Sequence, residues 1–135
     1  DFLMDEESSA IVNFALPGTY LYEPNAAILK AGAFKSIALQ FGISKLHPNS
    51  HLYTSDELIV NFPGRTFKIE QLLKYDKNAL WEALPNNKAN ITCRNFPETV
   101  QQIRNKTKLK EGGKAYLFAT TDCEDRRVML LCAKV

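Results

Sequence analysis

Lys88-Ala-Asn-Ile-Thr-Cys-Arg-Asn-Phe-Pro97, with Gly112-Gly-Lys-Ala-Tyr-Leu-Phe-Ala-Thr-Thr121 downstream of it, is the stretch from which the fold is read. Residues 89–94 read as a strand, and residues 97–108 as a helix with Val100, Ile103 and Thr107 turned inward. Gly112-Gly113 breaks the chain, and residues 115–121 and 126–134 then form a hairpin across the polar turn 121–125. The order is β, α, β, β.

Working back toward the amino terminus, residues 76–84 predict a short helix with Leu80, Trp81 and Leu84 on its apolar side, stopped by Pro85. Residues 67–75 and 50–55 predict strands, and 56–60 a helical turn. Phe62-Pro63-Gly64-Arg65 places Pro-Gly in the two central positions of a type II turn. Phe34, Ile37, Ala38 and Phe41 repeat at helical spacing, which predicts one helix over 26–41, opened by Pro24 and ended by Gly42. Residues 20–22 and 11–16 are short extended pieces, and residues 1–10 an acidic tail. Strands and helices intermix without a long βαβ alternation, so an α+β architecture follows, with two small sheets and helices on one face.

Charge is distributed unevenly over these elements. Residues 88–114 carry Lys88, Arg94, Arg104, Lys106, Lys108, Lys110 and Lys114 against only Glu98 and Glu111, while the whole chain has a formal net charge of +2. Residues 1–57 hold three lysines against seven acids. A surface that concentrates positive charge recruits polyanions, and phosphate backbones are the commonest of these. Arg94-Asn95-Phe96-Pro97-Glu98 adds a guanidinium beside a predicted helix start, where free N–H groups can hold a phosphate. In the competing reading, Asn95 caps the helix, Pro97 starts it and Glu98 answers its dipole. Arg104 and Lys108, four residues apart, share a face along which a backbone could be tracked. Tyr22 and Phe96, each beside a proline turn, are the aromatics best placed by sequence to stack on bases.

At 135 residues and 45% apolar content the chain can bury a core, and its longest uncharged stretch, 8–22, is too short and too interrupted to cross a membrane. Cys93, Cys123 and Cys132 are odd in number and widely spaced, which suits free thiols in a reducing cytoplasm. His47-Pro48-Asn49-Ser50-His51 spaces two imidazoles four apart, but Pro48 argues against the helix that would pair them on a metal, and a polar turn is favoured. No G-x-S-x-G elbow, P-loop or G-x-G-x-x-G fingerprint occurs. Neither a catalytic set nor a metal site is assigned.

Four strings together carry a resemblance: Tyr20-Leu-Tyr-Glu-Pro-Asn-Ala-Ala-Ile-Leu-Lys-Ala-Gly32, Leu46-His-Pro-Asn-Ser-His-Leu-Tyr-Thr-Ser55, Phe62-Pro-Gly-Arg-Thr-Phe67, and the pair quoted at the outset. They resemble the C-terminal region of bacterial S-adenosylmethionine-dependent methyltransferases that carry a ferredoxin-like unit and a THUMP-like domain. The resemblance implies a tail and first strand over 1–18, a ferredoxin-like unit over 19–75 and a THUMP-like βαββ unit over 76–135. In such proteins the catalytic domain precedes this region, so it implies a piece without that domain. S-adenosylmethionine would be the missing domain's cofactor, with none in this chain. RNA, either tRNA or rRNA, and the methyltransferase domain in cis are the implied partners, in the cytoplasm and away from membranes. Charge and resemblance together nominate Lys88, Arg94, Asn95, Arg104, Lys106, Lys108, Lys110 and Lys114 for RNA contact. The matching motifs further single out Tyr22, Glu23, Asn25, Lys30, His47, Asn49, His51 and Arg65 without giving them roles. An interaction module packing on the methyltransferase domain is the alternative, and a hydrolase built on Glu23 and the histidines a third reading.

Overall fold

The computed structural model describes residues 12–135, so the acidic tail, Ile11 and the start of the first extended piece lie outside the described residues. Eleven elements follow in order: β1 (Tyr20–Pro24), α1 (Ala26–Ala31), α2 (Phe34–Phe41), β2 (Ser44–Lys45), β3 (Tyr53–Ser55), β4 (Gly64–Leu73), α3 (Lys77–Ala83), β5 (Asn90–Arg94), α4 (Val100–Thr107), β6 (Ala115–Thr121) and β7 (Arg127–Lys134). The class is α+β, and the β, α, β, β order of the last third holds.

Instead of two small sheets, the strands form one of seven, in the order β2-β3-β1-β4-β7-β6-β5. The strand responsible is β4, which pairs antiparallel with β1 on one side and with β7 on the other. An isolated half would expose the backbone groups of a long edge, whereas sharing β4 satisfies both ladders. Its register shifts between Ile69 and Gln71. The extra residue turns Phe67 and Ile69 toward one face and Leu73 toward the other, so one strand serves both cores.

Among the described residues, α2, α3 and α4 pack on one face of the sheet. Leu80 and Leu84 of the α3 segment and Ile103 of α4 pack on Ile91, Leu117, Ala119, Met129 and Leu131, while Ile37 and Ala38 of α2 pack on Tyr22 and Tyr53. The opposite face gathers Leu21, Phe67, Phe118, Leu130 and Cys132. Leu46 and Leu52 of the β2–β3 loop pack against it.

Several local expectations are corrected. The helix over 26–41 is two, because Gly32 takes a left-handed φ of 65° and closes α1 with its N–H on Ile28 and Leu29 carbonyls. Pro24 ends β1 rather than opening a helix, and Asn25 caps α1, accepting from Ile28 N at 3.0 Å. Gly64 is not the third residue of a type II turn: it opens β4 opposite Pro24, so close to β1 that a Cβ there would overlap the Glu23 carbonyl. Residues 56–60 form no helix. Of the extended piece at 11–16, the described part makes one isolated bridge, Phe14 to Lys45. Asn95 does not cap α4, which starts at Val100 behind a Thr99–Gln102 capping box. Arg94 is therefore not beside a helix start, and the phosphate pocket expected there does not form.

Candidate functional site

The nominated cations fall into two groups at opposite ends of β5. Lys88 and Lys110 face each other across an isolated parallel bridge, with Ala89 N on Lys110 O at 3.0 Å and Lys110 N on Asn87 O at 2.8 Å. Asn90 Nδ2 donates to Gly113 O at 3.0 Å, which draws Lys114 to the same end. Lys88 and Lys114 line one cleft of about 410 Å³, with Glu70 the carboxylate in its wall. Lys108 ends α4 with a left-handed φ of 63° and projects from the same corner. Lys88, Lys108, Lys110 and Lys114 are exposed, and none makes an ion pair with the described residues.

Arg104 and Lys106 are already engaged. Arg104 donates to Leu109 O at 3.3 Å and Ala89 O at 3.0 Å, tying α4 to β5 beneath the lysines. Lys106 pairs with Glu98 at 3.0 Å. Glu98 also accepts from Tyr75, and the Lys106 ammonium and that hydroxyl hold its carboxyl below the usual range.

Arg94 and Asn95 belong to a second cluster that sequence order hides. Glu23 in β1 and Arg94 in β5 stand four strands apart, roughly 19 Å between backbones if the sheet were flat. Yet Arg94 Nη2 donates to Glu23 Oε2 at 2.9 Å, so the sheet must curl toward the face that carries Leu21 and Phe118. Arg65, opposite Glu23 in the β1–β4 register, donates through Nε to Glu23 Oε1 at 2.7 Å. Glu23 is buried, the Arg65 guanidinium lies over the Phe67 and Tyr116 rings, and the Arg65 and Arg94 side chains stay partly exposed, at 41% and 36%. Together with Asn25 they line an open cleft of about 550 Å³. The cluster contains Glu23, Asn25, Arg65 and Arg94, which are 71 residues apart at the extreme.

The His47–His51 motif turns out to be a strap across the curled face. His47 Nε2 meets Asp125 at 2.7 Å in the β6–β7 turn, and Ser50 Oγ donates to Thr121 O at 2.7 Å. Asn95 Nδ2 reaches His47 Nδ1 at 3.2 Å and Ser50 Oγ at 3.4 Å, while Thr121 Oγ1 donates to Asn95 O at 2.6 Å. Asn49 closes the turn, its N–H on His47 Nδ1 at 3.0 Å. His51 stacks on Phe34 with 3.7 Å between ring centroids and accepts at Nδ1 from Lys45 Nζ at 3.0 Å. Burial, then the Lys45 and Arg94 charges, hold its pKa down to about 4, leaving a neutral ring. The two histidines thus serve different partners, and the described residues hold no group of three or more ligands for a metal.

Of the remaining motif residues, Lys30 is exposed in the last turn of α1. Tyr22 is fully buried, its hydroxyl 2.7 Å from Ser55 Oγ and accepting from Ile59 N at 2.9 Å, so it offers no face to a base. Phe96 packs edge-on against Tyr75. The aromatic that sequence reasoning assigned to a core face, Trp81, is 39% exposed. Buried Lys45 was likewise missed; a lysine in a two-residue strand gives no local sign of burial. The three cysteines are free thiols, and among the described residues no helix is long and apolar enough to cross a membrane.

Residues 20–63 match a family model described as a ferredoxin-like domain, and residues 64–134 one described as THUMP domain-like. A crystal structure from Porphyromonas gingivalis, of a protein provisionally described as a methyltransferase, is 41% identical and superposes with a TM-score of 0.91. That match covers 99% of this chain and 34% of the other, so the chain spans about a third of that protein's length. No curated protein matches the chain.

Proposed function

We propose, from the premise that this chain belongs to the THUMP-like family and carries a ferredoxin-like domain ahead of that unit, that it is a non-catalytic RNA-binding region which positions substrate for a methyltransferase domain outside these residues. The observation that carries the reading is the corner where Lys88, Lys108, Lys110 and Lys114 stand exposed and without ion pairs among the described residues. Four ammonium groups fixed to one end of a sheet can replace counterions along a phosphate backbone, which gives affinity and register with little sequence preference. Arg94, Arg104, Asn95 and Lys106 act differently in this reading. Arg104 braces the corner, Lys106 is spent on Glu98, and Arg94 and Asn95 belong to the strap end of β5, where the partly exposed Arg94 and Arg65 side chains take one further phosphate in this reading.

The likeness to a protein provisionally described as a methyltransferase supports the cis partner. S-adenosylmethionine would be held by that partner, and the RNA would be a tRNA or an rRNA handled in the cytoplasm. Filter-binding titration of the chain with tRNA at two salt concentrations tests the reading. Replacing Lys88, Lys110 and Lys114 together with Ala is expected to lower affinity and reduce the salt slope by about two to three units of log K per log salt, close to one per lost contact. An unchanged slope refutes the contacts.

A second reading, an interaction module that packs on the methyltransferase domain without binding RNA, is favoured by one patch. Leu58, Val60 and Val135 are 43%, 68% and 60% exposed beside the cleft at Phe62 and Arg65. It predicts that the chain ignores tRNA and co-elutes with a separately purified methyltransferase domain.

A further inference from the structure

Trp81 is the one tryptophan of the chain and sits on α3 beside Leu80 and Leu84, which are 0% and 4% exposed and fill the core on that side. Trp81 is 39% exposed. It does not swing freely: Nε1 donates to Thr107 O at 2.6 Å, which pins the ring's edge to the carboxyl end of α4. This bond uses the ring's only donor, so the ring's further polar contacts are made through its π-surface. Lys77, itself exposed one turn earlier, holds its ammonium 4.8 Å from the ring centroid, a cation–π contact that a stacking base would displace toward its own phosphate. Lys108 follows Thr107 directly, and Lys110 and Lys88 lie on the adjoining bridge.

An aromatic face with Lys77 over it and Lys108 next to the carbonyl that holds it is poorly suited to docking an apolar protein surface, because each lysine would have to be desolvated. It suits a nucleotide: the base stacks on the ring while neighbouring phosphates take the ammonium groups. We infer that Trp81 is a stacking platform for an unpaired base, so that the RNA engaged at the lysine corner presents a single-stranded segment there. The inference rests on the RNA-binding reading above and narrows it to a class of RNA structure, since bases within a duplex have no free face to offer.

Because the chain holds one tryptophan, its fluorescence reports on this site alone. The full chain is titrated with a short single-stranded RNA and with a duplex of equal length, following fluorescence and filter retention in parallel. Single-stranded RNA is expected to quench Trp81 in step with retention, and the duplex to quench it little. Trp81→Ala is expected to weaken single-strand binding about tenfold, the size of one lost base stack, while Trp81→Phe, which keeps an aromatic face, loses far less. Melting curves of both variants establish that they fold. Retention of single-stranded RNA with unchanged Trp81 fluorescence, or equal losses in a folded Ala and Phe variant, overturns the stacking role and leaves the RNA reading standing. Retention of neither nucleic acid overturns both.

Discussion

His51 shows how much a single side chain depends on its setting. Its ring, between Phe34 and Lys45, stays neutral down to a pKa of about 4, while an unfolded chain takes up that proton near the ordinary value of 6.5. Between those values the unfolded state binds more protons, so stability falls as the pH drops and the loss is complete once the pH is below about 4. The melting temperature, followed from pH 7 to pH 4, should decline less steeply in His51→Gln than in the parent chain. Glu23 poses the converse case: a buried carboxylate answered by Arg65 and Arg94, each partly open to water. Removing it as Glu23→Ala leaves two guanidiniums facing each other. The cost, discounted for that exposure, should be about 1–2 kcal/mol in a urea denaturation experiment, and equal stability would argue that solvent screens the whole triad.

Among the elements, β4 and its first residue matter most. Gly64 sits where the β1 backbone passes too close for any Cβ, and the Glu23–Arg65 pairing begins one residue on. Gly64→Ala should therefore lose on the order of 1–3 kcal/mol, read as a lower urea midpoint at unchanged m-value. A neutral result would mean that β1 and β4 can separate locally without cost. α4 illustrates a different lesson. Its inward residues follow from spacing, since Ile103 and Thr107 are buried as the pattern predicts, but its start does not. Asn95, Pro97 and Thr99 all fit a helix opening, and the choice fell to Thr99 because Asn95 is drawn away to Ser50 and His47. Likewise the break at Gly32 has no signal beyond the glycine itself, which a helix can also contain.

At the scale of the molecule, the shared sheet and the strap make the two matched units one mechanical body. β4 bonds to both sides, Glu23 reaches Arg94, and His47 and Ser50 hold the β6–β7 end. The 135-residue chain is therefore expected to unfold in one cooperative transition. Trp81 fluorescence, which reports only the THUMP-like unit, should coincide with far-UV circular dichroism, which reports both units. Two separated midpoints would show that the units melt independently.

What could be read along the chain was whatever depends on neighbours in sequence: the β, α, β, β order of the last third, the apolar stripes of α2 and α4, the helix ending at Gly42, and the excess of lysine after residue 88. Periodicity and composition are local quantities, and they report local choices faithfully. The union of the strands into one sheet, the curl that joins Glu23 to Arg94, the strap role of the His47–His51 motif and the outward turn of Trp81 arose only on folding. Each depends on a partner 26 to 78 residues away, and nothing in a linear pattern encodes which distant backbone will lie alongside. The same holds for the cations: their number is a property of composition, but whether a lysine is exposed or an arginine is spent on a carboxylate is settled by which strand passes beside it.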